Sequence, residues 1–144
     1  VLFYRTGDLP PFDILIQQCR KFYVKFYEQL KVLKSKYKSH NDASNIPDIL
    51  GLKIILHYSD AVGAVPIGKN IKLMGEDVIV AHRLLKNDIE KNEYLLLSNK
   101  LMDQYRDKAI ERNFGWGELI DGDENYKHIG EIGYSYINLE PLVD

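Results

Sequence analysis

Two cations stand where an anion could be met: Arg83, within the run Gly75-Glu76-Asp77-Val78-Ile79-Val80-Ala81-His82-Arg83-Leu84, and Lys72, just ahead of it. Either could neutralise a phosphate or a carboxylate, although an arginine placed like Arg83 is more often a salt-bridged residue on a helix surface. Other patterns fall short of a site. His40, His57, His82 and His128 share no metal-ligand spacing, and His82 reads as a surface or interface residue. Asp121-Gly122-Asp123-Glu124-Asn125 starts like a calcium loop, but Tyr126 and Ile132 occupy the places that need Gly and Glu, so a hairpin turn is expected. Gly68-Lys69 lacks the rest of a phosphate loop, and Ser59-Asp60 has no glycine elbow to expose a nucleophile. No metal and no cofactor is expected. The single cysteine, Cys19, cannot form an internal disulfide; its place on an apolar helix face predicts a buried thiol and a reducing, cytoplasmic setting.

These residues need elements to hold them. Val1 to Arg5 reads as a strand closed by Thr6-Gly7-Asp8, and Pro10-Pro11 opens a long amphipathic helix. Its apolar positions fall at Leu15/Ile16, Cys19, Phe22/Tyr23, Phe26, Leu30, Leu33 and Tyr37, which predicts that Phe22 and Phe26 pack on a sheet while Lys25 faces water. Ser39 to Leu50 is polar and reads as a loop. Leu52 to Tyr58 is a nearly continuous apolar run, as in a central strand covered on both faces. Val62 to Leu73 reads as an irregular strand broken by a turn, Gly75 to Ile89 as a helix, and Tyr94-Leu95-Leu96-Leu97 as a compact strand. Asn99 is placed to cap another helix through Leu101, Met102, Tyr105 and Ala109, and a terminal hairpin turning at Asp121-Gly122 follows. This order is that of an α+β domain with a mainly antiparallel sheet covered by helices on one side.

The 144 residues fit a single domain. Hydrophobic residues at 45% and charged residues at 28% exclude a disordered or fibrous chain. Nineteen basic against 21 acidic residues give a charge of −2, so no net field draws the chain to nucleic acid or to an anionic membrane. No apolar run approaches the ~18 residues of a membrane span, and no leader pattern opens the sequence. Starting on Val1-Leu2-Phe3-Tyr4 without a Met, the chain reads as a fragment with a strand already under way.

The Gly75 to Leu84 run, together with Leu52-Lys53-Ile54-Ile55-Leu56-His57-Tyr58, resembles the signature segments of class III adenylate and guanylate cyclases, and the order of elements is similar from Val1 to about Leu139. The segments "VLFYR", "AHRLLKN" and "IGEIGYSY" are closer still to a bacterial family of uncharacterised cyclase-like proteins. The resemblance implies a ferredoxin-like, nucleotide-cyclase-type fold, lacking its N-terminal strand and helices. It matches Gly75, Val78, Ala81, Arg83 and Leu84, and departs from the cyclases where they act. Ile79 stands where an Asn orients the ribose, Lys72 where a carboxylate selects the base, and Ile129 where a hairpin lysine precedes a glycine. Isoleucine offers no hydrogen bond. The two aspartates that hold cyclase metals would precede Val1.

The function expected is therefore that of a degenerate cyclase-like domain without catalysis, acting as a dimerising or regulatory binding module. The alternative is a nucleotide-binding enzyme doing metal-dependent phosphoryl chemistry once upstream residues are present. A homodimer is expected through the aromatic last third, Trp116, Tyr126, Tyr134 and Tyr136, although these rings could instead cover the sheet. No nucleic acid or membrane partner is expected, and the sequence names no small-molecule ligand.

Overall fold

The computed structural model describes residues 3–36, 51–60, 63–67, 70–106 and 110–143, with 63–74 as backbone alone. Helix α1 spans Phe12–Lys36; Asp13 in its first turn and Lys34 and Lys36 in its last complement the helix dipole. Its buried line is Phe12, Ile16, Cys19, Tyr23 and Leu30. Phe22 was expected in that line and is 54% exposed instead. Adjacent helical residues point about 100° apart, so only one of Phe22 and Tyr23 can face the sheet. Tyr23 does so because its hydroxyl donates to the buried carboxylate of Glu93. Tyr37 and the expected loop at 39–50 lie outside the described residues, as do Val1 and Leu2. Residues 3–5 form no strand, and Phe3 and Tyr4 are exposed.

Strand β1 (Lys53–Leu56) is followed by the hairpin β2 (Gly63–Ile67) and β3 (Asn70–Met74), then helix α2 (Glu76–Arg83) and strand β4 (Tyr94–Ser98). A short helix α3 (Asn99–Met102) runs into a 3-10 turn at Asp103–Tyr105, and a long hairpin of β5 (Ile120–Tyr126) and β6 (Gly130–Asn138) closes the fold. The main sheet has the order β1-β4-β6-β5, and β2-β3 form a separate two-stranded sheet. The fold is α+β, but the sheet is mixed rather than mainly antiparallel. β4 pairs antiparallel with β6, and β5 with β6, while β1 and β4 run parallel with Ile54 opposite Leu95. The intervening hairpin and helix carry the chain back to the end where β1 began, and a crossover of that kind leaves the two strands parallel.

Helices cover both faces of this sheet, not one. Side chains alternate along β4, so Leu95 and Leu97 join Phe12, Ile16, Cys19 and Tyr23 of α1, with Ile137 of β6. Tyr94 and Leu96 point the other way, to Val80 of α2, Leu84 just past its end and Tyr134 of β6. The strand buried on both faces is therefore β4, every residue of which is buried, and β1 borders the sheet among the described residues. The apolar run of β1 reflects contacts on both faces from an outer position, Ile54 and Leu56 to the α1 side and Ile55 to the other.

Three boundaries differ from the sequence reading. Helix α2 stops at Arg83 rather than at Ile89, because the Asn87 amide donates to the Leu84 carbonyl at 2.7 Å and to the Tyr94 hydroxyl at 2.8 Å. Ser98, not Asn99, caps α3, its Oγ accepting from the Leu101 amide at 3.3 Å. The last hairpin turns at residues 127–129, where His128 has φ of 70°, and Asp121-Gly122 lies inside β5. Asp121 accepts there from Arg112 and from Ser135, both at 2.7 Å, so partners within the chain occupy the residue that opened the calcium-like pattern. Among the described residues no helix is long and apolar enough to cross a membrane.

Candidate functional site

Parallel neighbours β1 and β4 end on the same side of the sheet, and each apolar strand gives way there to a polar residue. His57 follows Leu56, and Ser98 closes β4. The first turn of α2 brings Asp77 and the first turn of α3 brings Lys100 to the same place. Crevices at the carboxyl ends of parallel strands are the usual ligand sites of sheets of this kind. Gly75, with φ of 141°, makes the turn into α2 in a backbone region that disfavours side chains, and so aims Asp77 back at β1.

Three segments remote in sequence, around residues 57–60, 77 and 98–100, thus meet through hydrogen bonds. His57 Nε2 lies 2.8 Å from Asp77 Oδ1, and His57 Nδ1 lies 2.6 Å from Ser98 Oγ. The other Asp77 oxygen accepts from Ser59 Oγ at 2.8 Å and from Lys100 Nζ at 2.9 Å. Asp60 approaches the same ammonium at 3.7 Å. An ionised carboxylate only accepts, so Nε2 carries the proton toward Asp77; in an uncharged ring Nδ1 is then an acceptor for the Ser98 hydroxyl. The His57 side chain is 7% exposed and that of Asp77 17%, while Lys100 is 40% exposed at the rim.

Burial pushes the Asp77 carboxyl up, but hydrogen bonds from Lys100, Ser59 and His57, with the Lys100 charge, outweigh it and hold the group at about 2. The bond that Lys100 donates to Asp77 in turn raises the Lys100 ammonium. With its carboxyl held that low, Asp77 accepts the hydrogen bond from His57 rather than donating one. A cleft of about 370 Å³ opens beside this group, with Asn99, Val80 and Ile132 in its wall and Glu76, Asp103 and Glu131 adding negative charge. A Cβ at Gly133 would meet the side-chain amide of Asn99, which would have to turn aside. No group of three or more residues able to hold a metal is found among the described residues.

The residues singled out in the sequence fall elsewhere. Arg83 and Ile79, one turn apart, are exposed on α2, and Arg83 has no side-chain hydrogen bond or ion pair among the described residues. Lys72 lies in β3, opposite Val65, and its side chain is outside the described part. Ile129 sits in the turn between β5 and β6, packed against the cluster of Tyr94, Leu96 and Val80. The four aromatic residues of the last third are used within the chain. Tyr134 is buried, the Tyr126 hydroxyl donates to the Lys86 carbonyl, and Trp116 donates to the Asn138 carbonyl beneath Arg20. Tyr136 packs against Tyr94 and Tyr134.

Sequence reasoning passed over Ser98, Asp77 and Lys100 and discounted His57. Motif spacing holds no signal for them. A positional signal exists: a polar residue directly after each of two apolar strands joined by a crossover. Cys19 is buried as expected, and burial pushes its thiol up to about 11.

A family model described as "Protein of unknown function (DUF2652)" matches residues 1–94. The uncharacterized protein Rv2561/Rv2562 of Mycobacterium tuberculosis is 29% identical over 92 residues, covering 64% of this chain and 40% of that protein. The chain thus spans about two-fifths of the length of this relative. No solved structure matches. The chain belongs to the family of unknown function DUF2652, and the matched segment includes His57, Ser59 and Asp77 and ends short of Ser98 and Lys100.

Proposed function

We propose that this member of a family of unknown function is a ferredoxin-like, nucleotide-cyclase-type domain that no longer makes a cyclic nucleotide and acts as a dimerising or regulatory binding module. One observation carries the reading. In the helix that resembles the cyclase signature, Asp77 is committed to three donors of its own chain, while the next turn offers solvent an apolar Ile79 beside Arg83. A helix that once bound a ribose and a phosphate would, on this reading, have been turned to anchoring β1 and α3. Lys72 and Ile129, in place of a base-selecting carboxylate and a phosphate-binding lysine, favour the same view. The strand-end cleft is the place for a small ligand.

Support for self-association comes from apolar side chains left in water: Ile79 at 53% and Leu85 at 47% exposed at α2, and Ile120 at 53% on the outer strand β5. The reading expects no cyclic AMP or cyclic GMP from ATP or GTP with magnesium or manganese, also after Ile79→Asn, and a dimer of two 16.7 kDa chains by sedimentation at tens of micromolar. Cyclic product that scales with protein above a heat-killed control overturns the first half. A monomer throughout that range overturns the second.

A further inference from the structure

We infer that Ser98 is an activated nucleophile, with His57 as its general base and Asp77 as the group that orients His57, and that the cleft takes small esters, neutral or cationic. The inference goes beyond the binding-module reading and stands whether or not the domain dimerises. Three features of the geometry support it. The hydroxyl, imidazole and carboxylate are consecutive in one hydrogen-bonded chain, at 2.6 Å and 2.8 Å. Their polarity is the one nucleophile activation requires: Asp77 fixes the proton on Nε2 and leaves Nδ1 facing the Ser98 hydroxyl. The hydrogen-bonded chain also borders a cleft, for His57, Asp77 and Ser98 all line its wall, although Ser98 itself is 1% exposed.

Substrate class follows from the cleft. Its volume of about 370 Å³ suits a small molecule. Glu76, Asp103 and Glu131 outnumber the one cation in the wall, Lys100, which is already paired with Asp77, and so repel an anionic substrate and favour a neutral or cationic one. Ser98 Oγ adds to the ester carbonyl while its proton passes to His57 Nδ1. Asp77 stabilises the imidazolium so formed without taking the proton. The carbon–oxygen bond to the alcohol then breaks, and His57 returns the proton to the departing alkoxide. Water, deprotonated by His57, releases the acid and restores Ser98. Atoms and charge balance with ester and water alone.

The probe is an alkyl fluorophosphonate, in which Oγ displaces fluoride at phosphorus and the hydroxyl proton leaves through His57. Intact mass and peptide mapping of the unaltered protein should find one adduct per chain, on Ser98. His57→Gln should slow labelling by at least about tenfold, as loss of the base does in hydrolases of this kind. Ser98→Ala should abolish it, with circular dichroism confirming that the variant keeps its fold. A choline ester added as competitor should protect the site better than a succinate monoester. No adduct, an adduct on another residue, or labelling that His57→Gln leaves unchanged overturns the nucleophile. Equal protection by the two esters overturns the charge preference.

Discussion

On the α1 face of the sheet, Phe12, Ile16, Cys19 and Tyr23 meet Leu95, Leu97 and Ile137 almost wholly through carbon, whereas at the strand ends His57, Asp77, Ser98 and Lys100 meet through hydrogen bonds and charge. The first region loses water and holds by contact area, which tolerates small displacements. The second depends on direction and distance, and each member needs its partner to be in place. Polar pairs intrude on the apolar side as well, the Tyr23 hydroxyl on the Glu93 carboxylate and the Tyr105 hydroxyl on the Pro10 carbonyl, and there too no buried side-chain polar atom is left unpaired among the described residues. The contrast teaches that the α1 face is held by contact area, while the strand ends are held by a few directed bonds whose loss should cost less than that of a core side chain.

The largest test of that contrast is in the core. Leu97→Ala should cost about 2–5 kcal/mol in a denaturant titration, since its side chain is wholly buried against α1, while Phe22→Ala should stay within about 0.5 kcal/mol. Comparable losses at the two positions would break the assignment of the buried helix line.

Asp77→Asn comes next, at about 1–2 kcal/mol, discounted because Lys100 is partly in water. The sign follows from the depressed carboxyl. Its contribution is fully present above the ordinary value of 3.8 and is lost as pH falls toward about 2. The wild-type protein should therefore lose this increment between about pH 4 and pH 2, and Asp77→Asn should lack that step. An unchanged acid profile in the variant would mean that the network does not hold in solution.

Within the strand-end network Lys100→Ala should have the smaller effect, within about 1 kcal/mol and shrinking with added salt, as for other pairs at a wet rim. A larger, salt-independent loss would make Lys100 part of the core and blur the difference between the two regions.

Periodicity alone determined that a long helix starts near Pro11, that Cys19 is buried, that a strand runs through Leu95 and Leu97, and that a hairpin ends the chain. These are properties of local pattern and of the hydrophobic effect, and each neighbourhood carries them in full. Only the tertiary structure decided which of Phe22 and Tyr23 turns inward, because the choice rests on Glu93, seventy residues away from Tyr23. The parallel pairing of β1 with β4 was likewise a matter of how a crossover returns, which no strand's own residues encode. The meeting of His57, Asp77, Ser98 and Lys100 follows from that pairing, for it sets two strand ends and two helix starts side by side. A sequence states the type of each polar residue; where hydrogen bonds of fixed length join segments twenty to forty residues apart, only the folded chain supplies the partner.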